Sequence, residues 1–294
     1  MSEVLNYMIN GALVGLLYSL VAMGFVVIYR ASKVFNFAQG ELVVFGGFLV
    51  WWMVVSLGLP LWIGLPLAFV LAALFGLLIE RIFFSRLVGE SVFAMVMVTI
   101  GLLILMRGLI LLLFGPQVRP FPIIFPLQPV IIGDILIPRA LLIGGIITTV
   151  VGFALSWFFN KTRPGLKLTA VAEDHQVAIS MGISVKRSVA FAWVLGSVLS
   201  TLGAIIYLSG KSLSFLASEI GIAALPVALL AGFESIAGVL LAGIIVGTIQ
   251  GLVTAYLDPV VGGSVGMVFP MIVMLLILFI RPTGMFGWKT VERV

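Results

Sequence analysis

No charged residue stands between Glu41 and Glu80, and that run decides what the chain can fold into. A helix crossing a bilayer needs about 20 consecutive apolar residues at 1.5 Å rise each. The run is too long for one crossing. Gly58-Leu59-Pro60 divides it into two spans, roughly 38–57 and 60–79. Composition supports the same class. Of 294 residues, 62% are hydrophobic and 9% charged, against about 25% charged in a soluble domain. A nucleic-acid-binding protein, a disordered chain and a cytosolic enzyme are poor readings on that ground. Cysteine is absent, so disulfides, thiolate metal sites and cysteine nucleophiles are excluded. One histidine and scattered carboxylates leave no metal cluster to expect, and no cofactor is expected.

Further apolar segments complete an all-α, polytopic transmembrane helix bundle in which residues 1–294 form a single domain. The first run, Val4 to Tyr29, lacks a basic leader and exceeds the roughly 7–15 residues of a signal-peptide core; it reads as a retained span. Others lie at about 92–114, 140–160, 189–209, 235–256 and 265–281. The piece at 220–233 is short, contains Pro226, and reads as a half-membrane helix. Eight or nine membrane segments result. Between them, 115–139 holds six of the 13 prolines, which deny helix hydrogen bonds; a small external cap with a hairpin is expected there.

Basic residues stay cytoplasmic in short loops. With the N-terminus outside, twelve of the 16 basic residues, including the cluster from Lys161 to Arg187, fall inside. Arg119, Arg139 and Lys211 fall outside, and Arg107 lies within a span. The net charge of +5 is therefore an orientation signal rather than a nucleic-acid signal. Gly243, Gly247 and Gly251 share one helix face, as do Gly11 and Gly15, which suits close helix approach; packing within the chain is favoured over a dimer seam.

Three catalytic-looking matches are set aside. Gly262-Gly263-Ser264-Val265-Gly266 fits a nucleophile-elbow pattern, but His175 falls on the opposite side of the membrane. Gly210-Lys211-Ser212 ends like a phosphate loop, yet Ile205 stands where its first glycine belongs. Asn160-Lys161-Thr162 fits a glycosylation sequon but is expected in the cytoplasm. None supports an enzyme.

Two features carry function. The first is Asn36-Phe37-Ala38-Gln39-Gly40-Glu41, too polar to face lipid. An ordinary cytoplasmic loop and a broken helix aimed at a substrate path both fit it. A second interruption, Gly232-Phe233-Glu234-Ser235, resembles it; Asn36, Gln39, Glu41, Glu234 and Ser235 are placed nearest a path. Arg107 is read as snorkelling or pairing with a buried carboxylate in preference to binding a substrate carboxylate. The second feature is the loop 161–188. Asp174 is placed to cap a short helix over His175–Met181, and Gly182 suits its left-handed terminus.

These residues resemble a known family. Leu17-Tyr18-Ser19-Leu20, Gly24-Phe25-Val26-Val27-Ile28-Tyr29-Arg30 and the Asn36–Glu41 block are similar to permease subunits of branched-chain amino acid ABC importers, specifically the shorter of the two permeases. Pro164-Gly165-Leu166, Ala170 to Asp174, Ala178 and Gly182 resemble that family's coupling loop, and Arg281-Pro282-Thr283-Gly284 its ending. Glu234 departs from the pattern, standing where a small residue is expected. The resemblance implies half of an import path for branched-chain or other small amino acids. A homologous second permease would complete it, expected as a heterodimer. Two cytoplasmic ATPases would dock at Glu173, Asp174, His175, Ala178 and Gly182, and a periplasmic binding protein would deliver substrate. The chain itself would hydrolyse nothing. The expected location is the bacterial inner membrane, with the N-terminus periplasmic and the C-terminus cytoplasmic. Urea or other small amides or acids stay open as substrates, as does a self-sufficient facilitator or channel.

Overall fold

A computed structural model describes residues 2–87, 90–173, 175–233, 235–281 and 284–285. Glycine and proline set several of the helix boundaries. The first helix, α1 (Ser2–Ser32), leads to α2 (Gln39–Trp51), which closes in a π-helical turn at Trp52–Ser56. Gly58, in the left-handed region at φ 66°, and Pro60, the N-cap, then start α3 (Leu61–Ile79). Ser91 caps α4 (Val92–Phe114) by accepting from the Ala94 N–H at 3.3 Å, and Gly115 ends it. The proline-rich segment carries β1 (Arg119–Pro120) and a hairpin of β2 (Val130–Ile132) and β3 (Ile135–Ile137) turning at Gly133. The expected hairpin cap is present.

After it come α5 (Arg139–Lys161), the short helices α6 (Arg163–Glu173) and α7 (His175–Ser180), and α8 (Val185–Leu208). A strand, β4 (Ser212–Leu213), and a 3₁₀ turn at Phe215–Ser218 precede α9 (Glu219–Ala231). The chain finishes with α10 (Ile236–Tyr256), α11 (Asp258–Val261) and α12 (Val265–Ile280). Among the described residues, seven helices are long and apolar enough to cross a membrane, with shorter apolar helices at Phe215–Ala231 and Val265–Ile280. This is an all-α membrane bundle.

Small residues decide its centre. In lipid, apolar side chains gain little by meeting each other, so backbone proximity and van der Waals fit dominate. α1 and α10 run antiparallel, with Tyr7 against Tyr256 at one end. A Cβ on Gly11 would lie 2.5 Å from the Gly247 carbonyl oxygen, and one on Gly15 would overlap the Gly243 carbonyl. The two glycine rows therefore zip together within one chain, as the sequence reading favoured. On its other side α1 meets α8, and α8 also receives α2 and α3. α1, α2 and α8 are largely buried, whereas α3, α4 and α5 present most of their surface outward.

The α8–α9 connection is tied to the proline-rich cap. β1 pairs with β4, Arg119 opposite Leu213, and Ser209 Oγ accepts from the Ile124 and Phe125 N–H groups, both at 3.0 Å. At the opposite end, which carries Arg30, Lys33 and the α6–α7 segment, α6 packs across α1 and α5. Arg30 donates to Thr169 Oγ1 at 3.0 Å.

Candidate functional site

Asn36 and Gln39 are buried almost completely, at 1% and 0% exposure, so the ordinary-loop reading of this block gives way to a broken helix. Asn36 Oδ1 accepts from the Ala38 N–H at 3.1 Å, turning the chain into α2. Its Nδ2 donates to Gln39 Oε1 at 3.2 Å. Gln39 Nε2 donates to Ser200 Oγ at 2.9 Å and approaches the Val21 carbonyl at 3.5 Å. Ser200 in turn donates to the Gly196 carbonyl at 2.8 Å. The Gln39 amide occupies the space a Cβ on Gly24 would need, which explains a glycine there.

These contacts place the start of α2 deep in the bundle. Gly24 lies about 12 Å along α1 from its end at Ser32, so the chain leaves α1 and climbs back before α2 begins. Thr99, about 10 Å into α4, donates to the Phe35 carbonyl at 3.0 Å and holds the climbing segment. Such irregular backbone is tolerated at membrane depth only inside protein or along water.

A second re-entry comes from the opposite end. A Cβ on Gly47 would touch Leu213, whereas Gly40 abuts the Ser218 carbonyl; the chain from 213 to 218 therefore descends beside α2 by about 10 Å. α9 begins there. A Cβ on Gly221 would lie 2.5 Å from Gly40 Cα, so the N-termini of α2 and α9 meet. Each carries an acidic residue in its first turn, Glu41 and Glu219, at the end where a helix dipole favours negative charge.

Arg107 reaches this junction from α4. Its Nε and Nη2 donate to Glu41 Oε1 at 3.0 and 2.6 Å, and Nη2 also donates to Ser218 Oγ at 3.2 Å. The Glu41 side chain is 2% exposed and that of Arg107 49%. Glu41 Oε2 is buried with no hydrogen-bond partner among the described residues. Arg107 thus pairs with a buried carboxylate rather than snorkelling, one of the alternatives the sequence left open.

Ser235 lies elsewhere. It caps α10, its Oγ accepting from the Gly238 N–H at 3.0 Å, and it lines a cavity of about 260 Å³ at the basic end with Arg30, Lys33, Asn160, Thr169 and Glu173. Between α9 and α10, Gly232 takes φ 73° and its carbonyl accepts from the Ser235 N–H at 3.1 Å. Among the described residues this connection meets the first break through the rings of Tyr29, Phe35 and Phe233, with Phe35 and Phe233 4.6 Å apart. Among the described residues, the segment that re-enters beside Asn36–Glu41 is the descending stretch 213–218. Glu234 lies outside the described residues.

The C-terminal end of α7 takes the expected left-handed form at Gly182. Gly182 takes φ 74° and donates to the Ile179 carbonyl at 2.9 Å, while Ile183 donates to the Ala178 carbonyl at 2.9 Å. That pair of bonds is a Schellman terminus. Ala178 is buried at 1% exposure and anchors α7, whereas Val177, Ile179 and Met181 point outward at 58%, 59% and 76%. Glu173 is exposed. Asp174 lies outside the described residues, as does the side chain of His175.

Sequence reasoning passed over Ser200, Ser218 and Thr99. Each is a lone hydroxyl in an apolar stretch, a weak signal that only its distant partner makes legible.

Against known proteins, residues 7–278 match the family described as branched-chain amino acid transport system / permease component. The high-affinity branched-chain amino acid transport system permease protein BraD of Pseudomonas aeruginosa is 26% identical, with 100% of both chains covered. The corresponding permease protein LivH of Escherichia coli is 27% identical over 99% of this chain and 97% of its own. A probable branched-chain amino acid transport permease protein LivH of Methanocaldococcus jannaschii is 25% identical over 94% and 90%. PsaBC from Streptococcus pneumoniae in complex with Fab aligns over 94% of this chain and 92% of its own, at 17% identity and TM-score 0.49. With nearly its whole length matched, this chain belongs to the family of branched-chain amino acid transport permease components.

Proposed function

We propose that this chain forms one half of the membrane path of an ATP-driven importer for branched-chain or other small amino acids. The observation that carries the reading is the meeting of two re-entrant helix N-termini at Gly40 and Gly221, beside the buried amides of Asn36 and Gln39. Discontinuous helices whose N-termini converge at mid-depth are a transporter device, because helix-end N–H groups receive anionic substrate atoms there. A second, homologous permease supplies the other half, and a periplasmic binding protein delivers the amino acid. The branched-chain class is taken from the relatives' names.

Energy enters at the other end. Two ATPase subunits dock on α7 and its flanks, from Glu173 through Asp174 and His175 to Gly182. The outward residues Val177, Ile179 and Met181 provide an apolar surface of the kind that partner proteins cover. Ala178 fixes the helix to the bundle, so a push on α7 passes to α6 and then to α1 and α5. In this arrangement the basic end is cytoplasmic, following the distribution of Lys and Arg; the N-terminus lies outside and the C-terminus inside.

The test is uptake into proteoliposomes containing the complete assembly. Radiolabelled leucine should accumulate only with ATP, both ATPases and the loaded binding protein. Equal flux through this chain alone, without ATPases, would replace the importer by a self-sufficient facilitator.

A further inference from the structure

The Glu41–Arg107 pair is built incompletely. An arginine and a carboxylate normally engage as a fork on a fork, two nitrogens on two oxygens. Here both guanidinium nitrogens converge on Oε1, at 2.6 and 3.0 Å, while Nη2 is shared with Ser218 Oγ at 3.2 Å. Oε2 of Glu41 stays buried and unpaired among the described residues, although the carboxylate side chain is only 2% exposed. Arg107, in turn, keeps about half of its side chain open on a helix whose other outward residues, such as Ile104 and Leu112, are apolar. An arginine at membrane depth with half of its side chain open turns its charge toward water or a polar partner rather than lipid. The pair also joins three elements, α2, α4 and the turn that leads into α9.

We infer that the Glu41–Arg107 pair is exchanged for the substrate during passage: Arg107 takes the substrate carboxylate on its planar fork, and Glu41 takes the substrate ammonium through Oε2. The inference rests on the importer reading and adds the residues that set specificity. A zwitterion brings one charge of each sign, so one ion pair is replaced by two and no buried charge is left alone. A substrate with a single charge would leave Glu41 or Arg107 uncompensated, which a low-dielectric site penalises heavily. A neutral amide such as urea offers neither charge and cannot separate the pair. Release restores the internal pair, which links α2, α4 and α9 again and closes the junction behind the departing molecule.

A purely structural pair and an exchanged pair differ in one double variant. Replacing both members of a buried ion pair by apolar residues of similar size usually leaves stability intact. Glu41→Met with Arg107→Met should therefore assemble and melt like the wild type. Yet leucine uptake per assembled complex in the proteoliposomes should fall by at least about 30-fold, the loss expected when a charge pair is removed from a binding site. Arg107→Lys is the second variant. It keeps a charge for Glu41 but loses the fork that reads a carboxylate, and uptake should again fall. Wild-type uptake by the double variant, or by Arg107→Lys if the double variant does not assemble, would overturn the inference while leaving the importer reading standing. Absence of ATP-dependent uptake by the wild-type complex would remove the importer reading, and this inference with it.

Discussion

Gly15→Ala puts one methyl group into the seam on which the bundle is built. The new Cβ would overlap the Gly243 carbonyl oxygen, stand 2.7 Å from the Gly243 carbonyl carbon and 3.0 Å from Gly247 Cα. Comfortable contacts lie about 1 Å further out, at roughly 3.5–4.0 Å. All of these atoms are backbone, so no side chain can rotate aside and the helices themselves must separate. Overpacking costs about 1–3 kcal/mol, and backbone against backbone belongs at the upper end. Alanine returns about 1 kcal/mol of helix propensity relative to glycine. The net loss is about 2 kcal/mol, or a fall in Tm of about 3 °C for a chain of this size. The assay is the fraction of monodisperse protein left after heating in detergent, read by size-exclusion chromatography. Gly101→Ala and Gly108→Ala on α4 are the controls, since a Cβ at either meets nothing within 4 Å; both should melt at or above the wild type. Gly15→Ala melting at the wild-type temperature, or Gly101→Ala falling as far, would refute the reasoning.

Three further outcomes follow from named contacts. Arg107→Leu leaves Glu41 as an uncompensated buried carboxylate, so it should lower stability by about 3–5 kcal/mol, measured by the same melting assay; a snorkelling arginine would be dispensable. Ser200→Ala removes the 2.9 Å partner of Gln39 and should cost about 1–3 kcal/mol through the unpaired amide, again read as a drop in Tm. Gly182→Ala forces a side chain into the left-handed region at a cost of about 1–2 kcal/mol, confined to the end of α7. It should reduce the ATP turnover stimulated by loaded binding protein while the membrane bundle melts as before.

Much of the bundle was legible because lipid imposes simple rules. Apolar length and breaker residues placed α4 and α5 within a residue or so of their observed ends, and Gly58-Leu59-Pro60 parted α2 from α3. Gly182 announced the end of α7 because few other residues accept φ 74°. The glycine rows of α1 and α10 announced close packing, and the structure supplies their partners. Depth was not legible. Whether Asn36–Glu41 forms a surface loop or climbs into the bundle depends on Gly24, Thr99 and Ser200, which lie on three other helices. The same holds for 209–218. It carries Lys211 and reads as an external loop, yet the close approach of Gly40 and Gly221 draws the start of α9 down beside α2. Gly232 and Glu234 attracted the symmetry argument because a lone carboxylate between glycines stands out locally. The partnership of Glu41 with Arg107 joins residues far apart in the chain, and no periodicity announces it. Local chemistry identified candidates, while their grouping came from tertiary contacts.

If the buried amide break is the path, as proposed above, Gln39 must meet water during turnover. The chain has no native cysteine, so Gln39→Cys supplies a single reporter at a position with 0% exposure in this structure. Labelling by a membrane-impermeant thiol reagent should be blocked in the resting assembly and become rapid when ATP and loaded binding protein drive turnover. Gly101→Cys on the outer helix α4 should show no such change. A Gln39→Cys that stays unlabelled throughout active turnover, or labels at one rate in both conditions, would contradict the account.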